Sequence, residues 1–288
     1  MLFRSTTTTT TTWKDDGFIF GLNTELQRPT GKKALIVVDG DSMETQPYQV
    51  ALVSITLLHH WYYIMTSIME LYHTNVYIAN SILPLWTTMG QIVVLSILSW
   101  ISADFGSGVL HWSVDNYGNG RTPIMGSIIA AFQGHHTAPW TITQRSFCNN
   151  VYKLCIPFGI IPVSILAYGT GPMLTYFLTT FCVLEILSQE FHKWSHQMKS
   201  ETPFIGNLLQ KYHLSIGRVP HFKHHTIPFE TNYCIISGIC NPILDQYGFF
   251  RRMEHFIYQQ NGIESNAWKL DPILRQRTLN GIYSPPEH

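Results

Sequence analysis

At 288 residues the chain has room for one sizeable domain or two small ones, and its 45% hydrophobic and 13% aromatic content excludes disorder as a whole. Charged residues make up only 12%, about half the usual share of a soluble domain. Lys plus Arg equals Asp plus Glu at 18 each, so no net charge draws the chain to nucleic acid.

The first 48 residues are polar and open with seven threonines, Thr6 to Thr12, a run with nothing to bury. They read as a mobile tail. No short apolar stretch of a signal peptide occurs in them, and Asp15, Asp16, Asp39, Asp41 and Glu44 argue against a transit peptide.

Four apolar stretches follow, each weighed against the roughly 20 residues that a spanning helix needs. Residues 50–69 are long enough, although His59 and His60 fall near the middle. Residues 78–102 form the clearest span, without a charge. Residues 154–170 carry Pro157 and Pro162 and predict a kinked helix. Residues 172–189 are interrupted only by Glu185. No Lys or Arg lies between the first and second stretches or between the third and fourth. The basic residues fall in the N-terminal tail, between stretches two and three (Arg121, Arg145, Lys153), and after the fourth. All therefore lie on one side of a four-span chain, the cytosolic side by the positive-inside rule.

The chain holds 14 histidines, and most sort onto that same side. His111 follows the second stretch, with Asp115 four residues on. His135 and His136 lie in the next cytosolic segment. His192 and His196 (H-x-x-x-H) follow the fourth stretch, and His221, His224 and His225 (H-x-x-H-H) lie in the C-terminal region. Spacings of three and four put imidazoles on one helix face, and neutral imidazole suits iron, copper, zinc or nickel. The adjacent pair His135–His136 offers one ligand each to two metals or two to one. Each motif alone is weak, since a lone H-x-x-x-H is more often a solvated or core pair. Together, eight histidines exceed the four or so that one tetrahedral zinc uses, which implies two metals and points to iron and oxygen chemistry. Asp104, Asp115 and Glu190 are candidate acceptors for holding the histidine tautomers.

The other histidines read differently. His59 and His60 suit packing, or the axial positions of a haem in a rival cytochrome reading. His213 is a spare or supporting group, and His73, His255 and His288 read as surface residues. Five cysteines (Cys148, Cys155, Cys182, Cys234, Cys240) form no C-x-x-C and read as reduced thiols.

The motifs S-A-D-F-G-S-G-V-L-H-W-S-V-D (102–115), G-H-H-T-A-P-W-T-I-T (134–143), H-K-W-S-H (192–196) and H-F-K-H-H-T-I-P-F-E-T-N-Y-C-I (221–235) resemble the Kua family, whose best-known members are plasmanylethanolamine desaturases. The resemblance runs from about residue 80 to 258 and takes in G-F-F-R-R-M-E (248–254). A plant plastid branch acting on palmitate in phosphatidylglycerol is similar too. The resemblance implies an oxygen-dependent desaturase of the endoplasmic reticulum membrane, with two iron ions (Fe2+/Fe3+) and electrons from cytochrome b5 and its reductase. Its substrate would be a 1-O-alkyl ether phospholipid, converted to the vinyl ether of a plasmalogen. The metal ligands carried over are His111, His135, His136, His192, His196, His221, His224 and His225, with Asp115 beside them. Some relatives carry a ubiquitin-conjugating-like domain, for which too few residues follow the last motif.

The expected protein is thus an all-α membrane protein of about four transmembrane helices with a cytosolic histidine-rich di-metal site. It divides into a tail (1–48), a desaturase domain (49–260) and a C-terminal tail (261–288). Three alternatives stay open: a related enzyme acting on a fatty acyl chain or ending in hydroxylation, a haem-binding membrane cytochrome, and a non-catalytic adaptor with structural histidines.

Overall fold

The computed structural model describes residues 42–79 and 83–286, so the threonine run and most of the expected N-terminal tail lie outside the described residues. In chain order the elements are α1 (Pro47–Ala79), α2 (Leu83–Asn116), α3 (Gly126–His135), a 3-10 turn (Pro139–Gln144), α4 (Phe147–Val151) and a second 3-10 turn (Tyr152–Cys155). There follow α5 (Ile160–Ala167), α6 (Pro172–His196), α7 (Phe204–Lys211), α8 (Arg218–His224), α9 (Asn241–Gln246), α10 (Phe249–Asn261), α11 (Asn266–Leu270) and α12 (Pro272–Leu279). Among the described residues there is no strand, as the all-α expectation requires.

Helices α1, α2 and α6 pack on one another as the frame. At 34 residues α2 is about 51 Å long, against a hydrocarbon core of about 30 Å. Among the described residues, Pro84–Asn116 is the one stretch long and apolar enough to cross a bilayer unaided. Only 33% of its most apolar window is buried, and Val93, Val94, Ile97, Leu98 and Ile101 stand on the outside. A soluble core helix would cover those side chains; a lipid-facing one need not. The third expected span is broken. The stretch Phe147–Cys155 meets α5 at 46°, and the two reach spanning character only jointly. Polar residues such as His59, His60 and Glu185 keep α1 and α6 below the same threshold.

His59 and His60 explain how the break is held. His59 Nε2 lies 3.0 Å from Ser164 Oγ. The ring nitrogens of His60 meet the carbonyls of Thr56 and Phe158 at 2.7 and 2.9 Å. Both fasten α1 to the segment around α5, which engages the nitrogens that an axial haem position would need.

Small residues on α2 let the later chain approach. A Cβ on Gly108 would stand 3.2 Å from the Cys234 backbone nitrogen and collide with its sulfur, and one on Gly106 would collide with Glu185. Asp104 accepts hydrogen bonds from the backbone N–H groups of Ser237, Gly238 and Cys240 at 2.7–3.0 Å, and Ser107 Oγ accepts from Ile235 N. The motif 102–111 is therefore a docking strip for segment 233–240. The C-terminal region, read as a tail, instead carries α11 and α12. Trp268 and Leu274 are buried there, and Asn266 and Ala267 bond to the end of α2.

Candidate metal centre

Four helix ends meet. His111 and Asp115 lie in the last turns of α2, and His135 ends α3 with His136 as its cap. His192 and His196 close α6, while His221 and His224 lie on α8, which His225 caps. All nine expected residues converge, and they sort into two groups. One is His111, Asp115, His136 and His224; the other is His135, His192, His196, His221 and His225, and within each group the donor atoms lie within 4.8 Å of one another. The adjacent pairs 135/136 and 224/225 are each split between the groups, because successive helical residues diverge by about 100°. Of the two arrangements the sequence left open for His135 and His136, the geometry has one ring in each group.

In the first group Asp115 Oδ2 is central, standing 3.3 Å from His111 Nε2, 3.0 Å from His136 Nε2 and 3.3 Å from His224 Nε2. In the second, Nε2 of His196 lies 2.9 Å from that of His135 and 2.8 Å from that of His221, which is 3.0 Å from that of His225. Two nitrogens bound at right angles to one ion at about 2.1 Å stand about 3.0 Å apart, so these spacings fit a shared cation. Orphaned atoms point the same way. His111 Nε2, His224 Nε2 and both ring nitrogens of His192 are buried without a hydrogen-bond partner, an expensive state that a cation would relieve. The donor set therefore fits two transition-metal ions.

The protonation state suits ligation. Burial holds the imidazoles of His135, His221 and His225 well below the ordinary histidine range, with repulsion from His196 the next cause. Burial lowers His136 as well. These rings are neutral at physiological pH.

Two tautomers are fixed by backbone carbonyls, which only accept. His111 Nδ1–H donates to Tyr233 O at 3.0 Å and His224 Nδ1–H to Thr231 O at 2.9 Å, which leaves each Nε2 lone pair facing Asp115. Of the three carboxylates expected as acceptors, only Asp115 reaches the histidines. Asp104 is taken up by segment 237–240, and Glu190 accepts from Lys193, Trp194 and Asn150. His213 is exposed in a left-handed turn (φ 57°), outside both groups. His73 is exposed, and His255 bonds Tyr283 and Gln259; His288 lies outside the described residues.

Support for Tyr233 went unread in the sequence. Arg251 Nη2 bonds the Tyr233 hydroxyl at 3.2 Å and pairs with Glu254 at 2.7 Å, and Glu254 accepts from Trp112 Nε1 at 3.0 Å. The signal was there in G-F-F-R-R-M-E, whose two buried charges are Arg251 and Glu254. A cavity of about 420 Å³ reaches the second group, lined by His196, His221, His225, Val219, Phe222 and Met198 among others.

Comparison with known proteins adds the family. The chain is 43% identical over 171 residues to the Arabidopsis thaliana protein named fatty acid desaturase 4, chloroplastic, covering 59% of this chain and 52% of that one. It is 33% identical over 188 residues to the Myxococcus xanthus plasmanylethanolamine desaturase (62% and 66% covered). It is 30% identical over 188 residues to plasmanylethanolamine desaturase 1 of Mus musculus (61% and 69% covered). The chain spans between about half and three fifths of the length of the Arabidopsis relatives it matches. No solved structure matches. The family model described as lipid desaturase domain matches residues 100–268, which is more than half of the chain and encloses both donor groups. The motif resemblance holds, and the chain belongs to the lipid desaturase domain family.

Proposed function

We propose that the chain is an oxygen-dependent membrane lipid desaturase whose two donor groups each hold one iron. The observation that carries this is the sorting of nine mostly buried donors into two adjoining groups, more donors than a single ion uses. When bound, the irons supply reduction of O2 and abstraction of hydrogen from an unactivated methylene. The chain's own residues hold and orient. Asp115, His111, His136 and His224 cage one ion, and His135, His192, His196, His221 and His225 the other. The carbonyls of Tyr233 and Thr231 keep two imidazoles turned inward. The cavity beside His196, His221 and His225 seats the lipid chain against the second group and keeps bulk water from it.

The substrate favoured is a fatty acyl chain of a phospholipid, because identity to the plant fatty acid desaturase (43%) exceeds that to the plasmanylethanolamine desaturases (30–33%). The second reading is a 1-O-alkyl ether phospholipid converted to its vinyl ether in plasmalogen biosynthesis, supported by the names of the latter relatives. Cytochrome b5 and its reductase are the proposed source of electrons. Four crossings by α1, α2, the bent α4–α5 segment and α6 best fit the one-sided placement of Lys and Arg, with the histidines cytosolic. An endoplasmic reticulum membrane goes with the ether-lipid reading, and a plastid membrane with the chloroplastic relatives.

Expression in a host of known lipid content, followed by mass spectrometry, tests these statements. The acyl reading yields phospholipids short of two hydrogens that release an unsaturated acid on alkaline hydrolysis. The ether reading yields an acid-labile vinyl ether, and a hydroxylase would add oxygen instead. Iron-loaded chain supplied with an electron donor that changes no lipid would refute the proposal.

A further inference from the structure

Beyond the histidines, the most unusual surface of the molecule is the segment from Met198 to Phe222. Seven large apolar side chains stand out on it: Met198, Phe204 (81% exposed), Ile205, Tyr212, Leu214, Val219 (73%) and Phe222. On α7 they follow one face. Gly206 and Leu209 turn inward, Gly206 against Trp194, while Phe204, Ile205, Lys211 and Tyr212 lie on the opposite side at helical spacing. Exposed cations flank them, Lys199, Lys211, Arg218 and Lys223, with Glu201 the sole acid of the segment. Apolar contact area interleaved with Lys and Arg is the composition of a surface that lies in a membrane interface rather than in water.

The level of the segment agrees. Trp100 Nε1 on α2 donates to the Leu214 carbonyl at 3.2 Å, which ties the segment to that height of the helix. Counted from Pro84 at 1.5 Å per residue, a hydrocarbon core of about 30 Å ends about 20 residues on, near Asp104. Leu214 therefore meets α2 at the edge of the hydrocarbon, beside the outward residues Ile97 and Ile101. Trp100 on α2 and Leu209 on α7 also pack in the same apolar cluster, so the exposed side chains of α7–α8 adjoin this part of α2. The cavity next to His196, His221 and His225 is also lined by Met198, Arg218, Val219 and Phe222, within the same segment.

We propose that residues 198–223 form an interfacial platform that rests on the leaflet of anionic lipids beside α2. Phe204, Ile205, Val219 and Phe222 sink among the upper acyl carbons, while Lys199, Lys211, Arg218 and Lys223 hold headgroup phosphates. The platform sets the mouth of the cavity at the depth where a lipid can leave the leaflet and enter sideways. Only the identity of that cargo rests on the desaturase reading; the position of the platform does not.

The test reads depth and needs no turnover. In liposomes holding the full chain, a fluorophore on Phe204→Cys or Val219→Cys is challenged by spin-labelled phospholipid and by aqueous iodide. A label on Ile273→Cys, exposed on α12, serves as the comparison, and signal from unsubstituted chain is subtracted. Labels at 204 and 219 should respond to the lipid-borne quencher and resist iodide, and the label at 273 should do the reverse. Iodide quenching at 204 and 219 equal to that at 273 would overturn the proposal. In the second arm, spin-labelled phosphatidylglycerol should quench position 219 more than its phosphatidylcholine counterpart. That preference should fall about threefold or more in a Lys199→Gln/Lys211→Gln/Lys223→Gln chain. An unchanged preference would remove the cations from the proposal.

Discussion

Asp115→Asn separates the two donor groups with a change of one atom. In the structure Asp115 Oδ2 is the shared neighbour of three imidazole nitrogens at 3.0–3.3 Å and the single anionic donor among the nine. Structural zinc sites of four donors bind with roughly 10–16 kcal/mol at neutral pH, about 3 kcal/mol per donor. Losing one donor, and the only charged one, should weaken the first site by at least about 100-fold at 1.36 kcal/mol per decade. The second group starts with five donors, so His192→Ala leaves a complete set of four imidazoles and a smaller loss. The assay is iron per chain, measured by mass spectrometry, while an iron chelator is titrated against purified full chain. The Asp115→Asn form should release one iron at chelator concentrations about 100-fold below those the unsubstituted chain needs, and keep the other. The His192→Ala form should hold both irons past that point. Release of both irons in one step from the Asp115→Asn form would refute two separable sites, and an unchanged titration would refute Asp115 as a ligand.

Three further outcomes follow from the packing and charge of the same region. Gly108→Val should cost about 1–3 kcal/mol and lower the melting temperature, because the added atoms strike Cys234, whereas Gly90→Ala, with open space around it, should not. Glu254→Gln should cost about 3–5 kcal/mol by leaving the buried Arg251 guanidinium without its counter-charge; thermal unfolding in detergent reads it, and a Tm within error of the parent would sink the claim. Acid should destabilise the iron-stripped chain. His135, His221 and His225 are held below the ordinary value of about 6.5 by burial, so below that pH the unfolded chain binds more protons than the folded one. Their contribution is intact above about pH 6.5 and falls with acidification by up to about 1.4 kcal/mol per histidine per pH unit. Unfolding temperatures of stripped chain that stay flat between about pH 7 and pH 5 would contradict this.

The sequence announced α2, α6 and the nine residues that converge in the two groups, because each rests on a local rule: an uncharged run of apolar residues, or histidines at helical spacing. The division of those donors into groups of four and five was not legible. It depends on where α3 and α8 stop relative to α2 and α6, a tertiary fact. His135 and His136 look identical in the chain, and the helix turn alone sends them to different groups. The break in the third apolar stretch was announced by Pro157 and Pro162, but the role of His59 and His60 in holding it needed the 158–164 segment in place. Asp104 misled for a related reason. A carboxylate seven residues before His111 suggests a partner for it, yet backbone N–H groups more than 130 residues away in the chain claim it first. The residues that orient His111 and His224 use backbone carbonyls, which carry no sequence signature.

The way the four segments reach the centre has an electrostatic consequence. The two divalent irons proposed above would bring four positive charges, and Asp115 is the only carboxylate among the nine donors of the two groups, so the side chains alone would leave the site strongly cationic. Yet α2, α3, α6 and α8 all present their C-terminal ends there, since the donors sit in the last turn, at the cap, or just before it. A helix C-terminus carries roughly half a negative charge on its unsatisfied carbonyls, felt within the last turn. The four C-terminal turns, together with Asp115, would offset part of that charge, without a further carboxylate that burial would penalise. Neutral imidazoles could then dominate the donor set, as they do in both groups, and the oxidising chemistry proposed above would need no further acid beside the metals. Each histidine motif therefore lies at the place in its helix where a cation is best tolerated, and the spacing of the motifs along the chain follows from where the helices end.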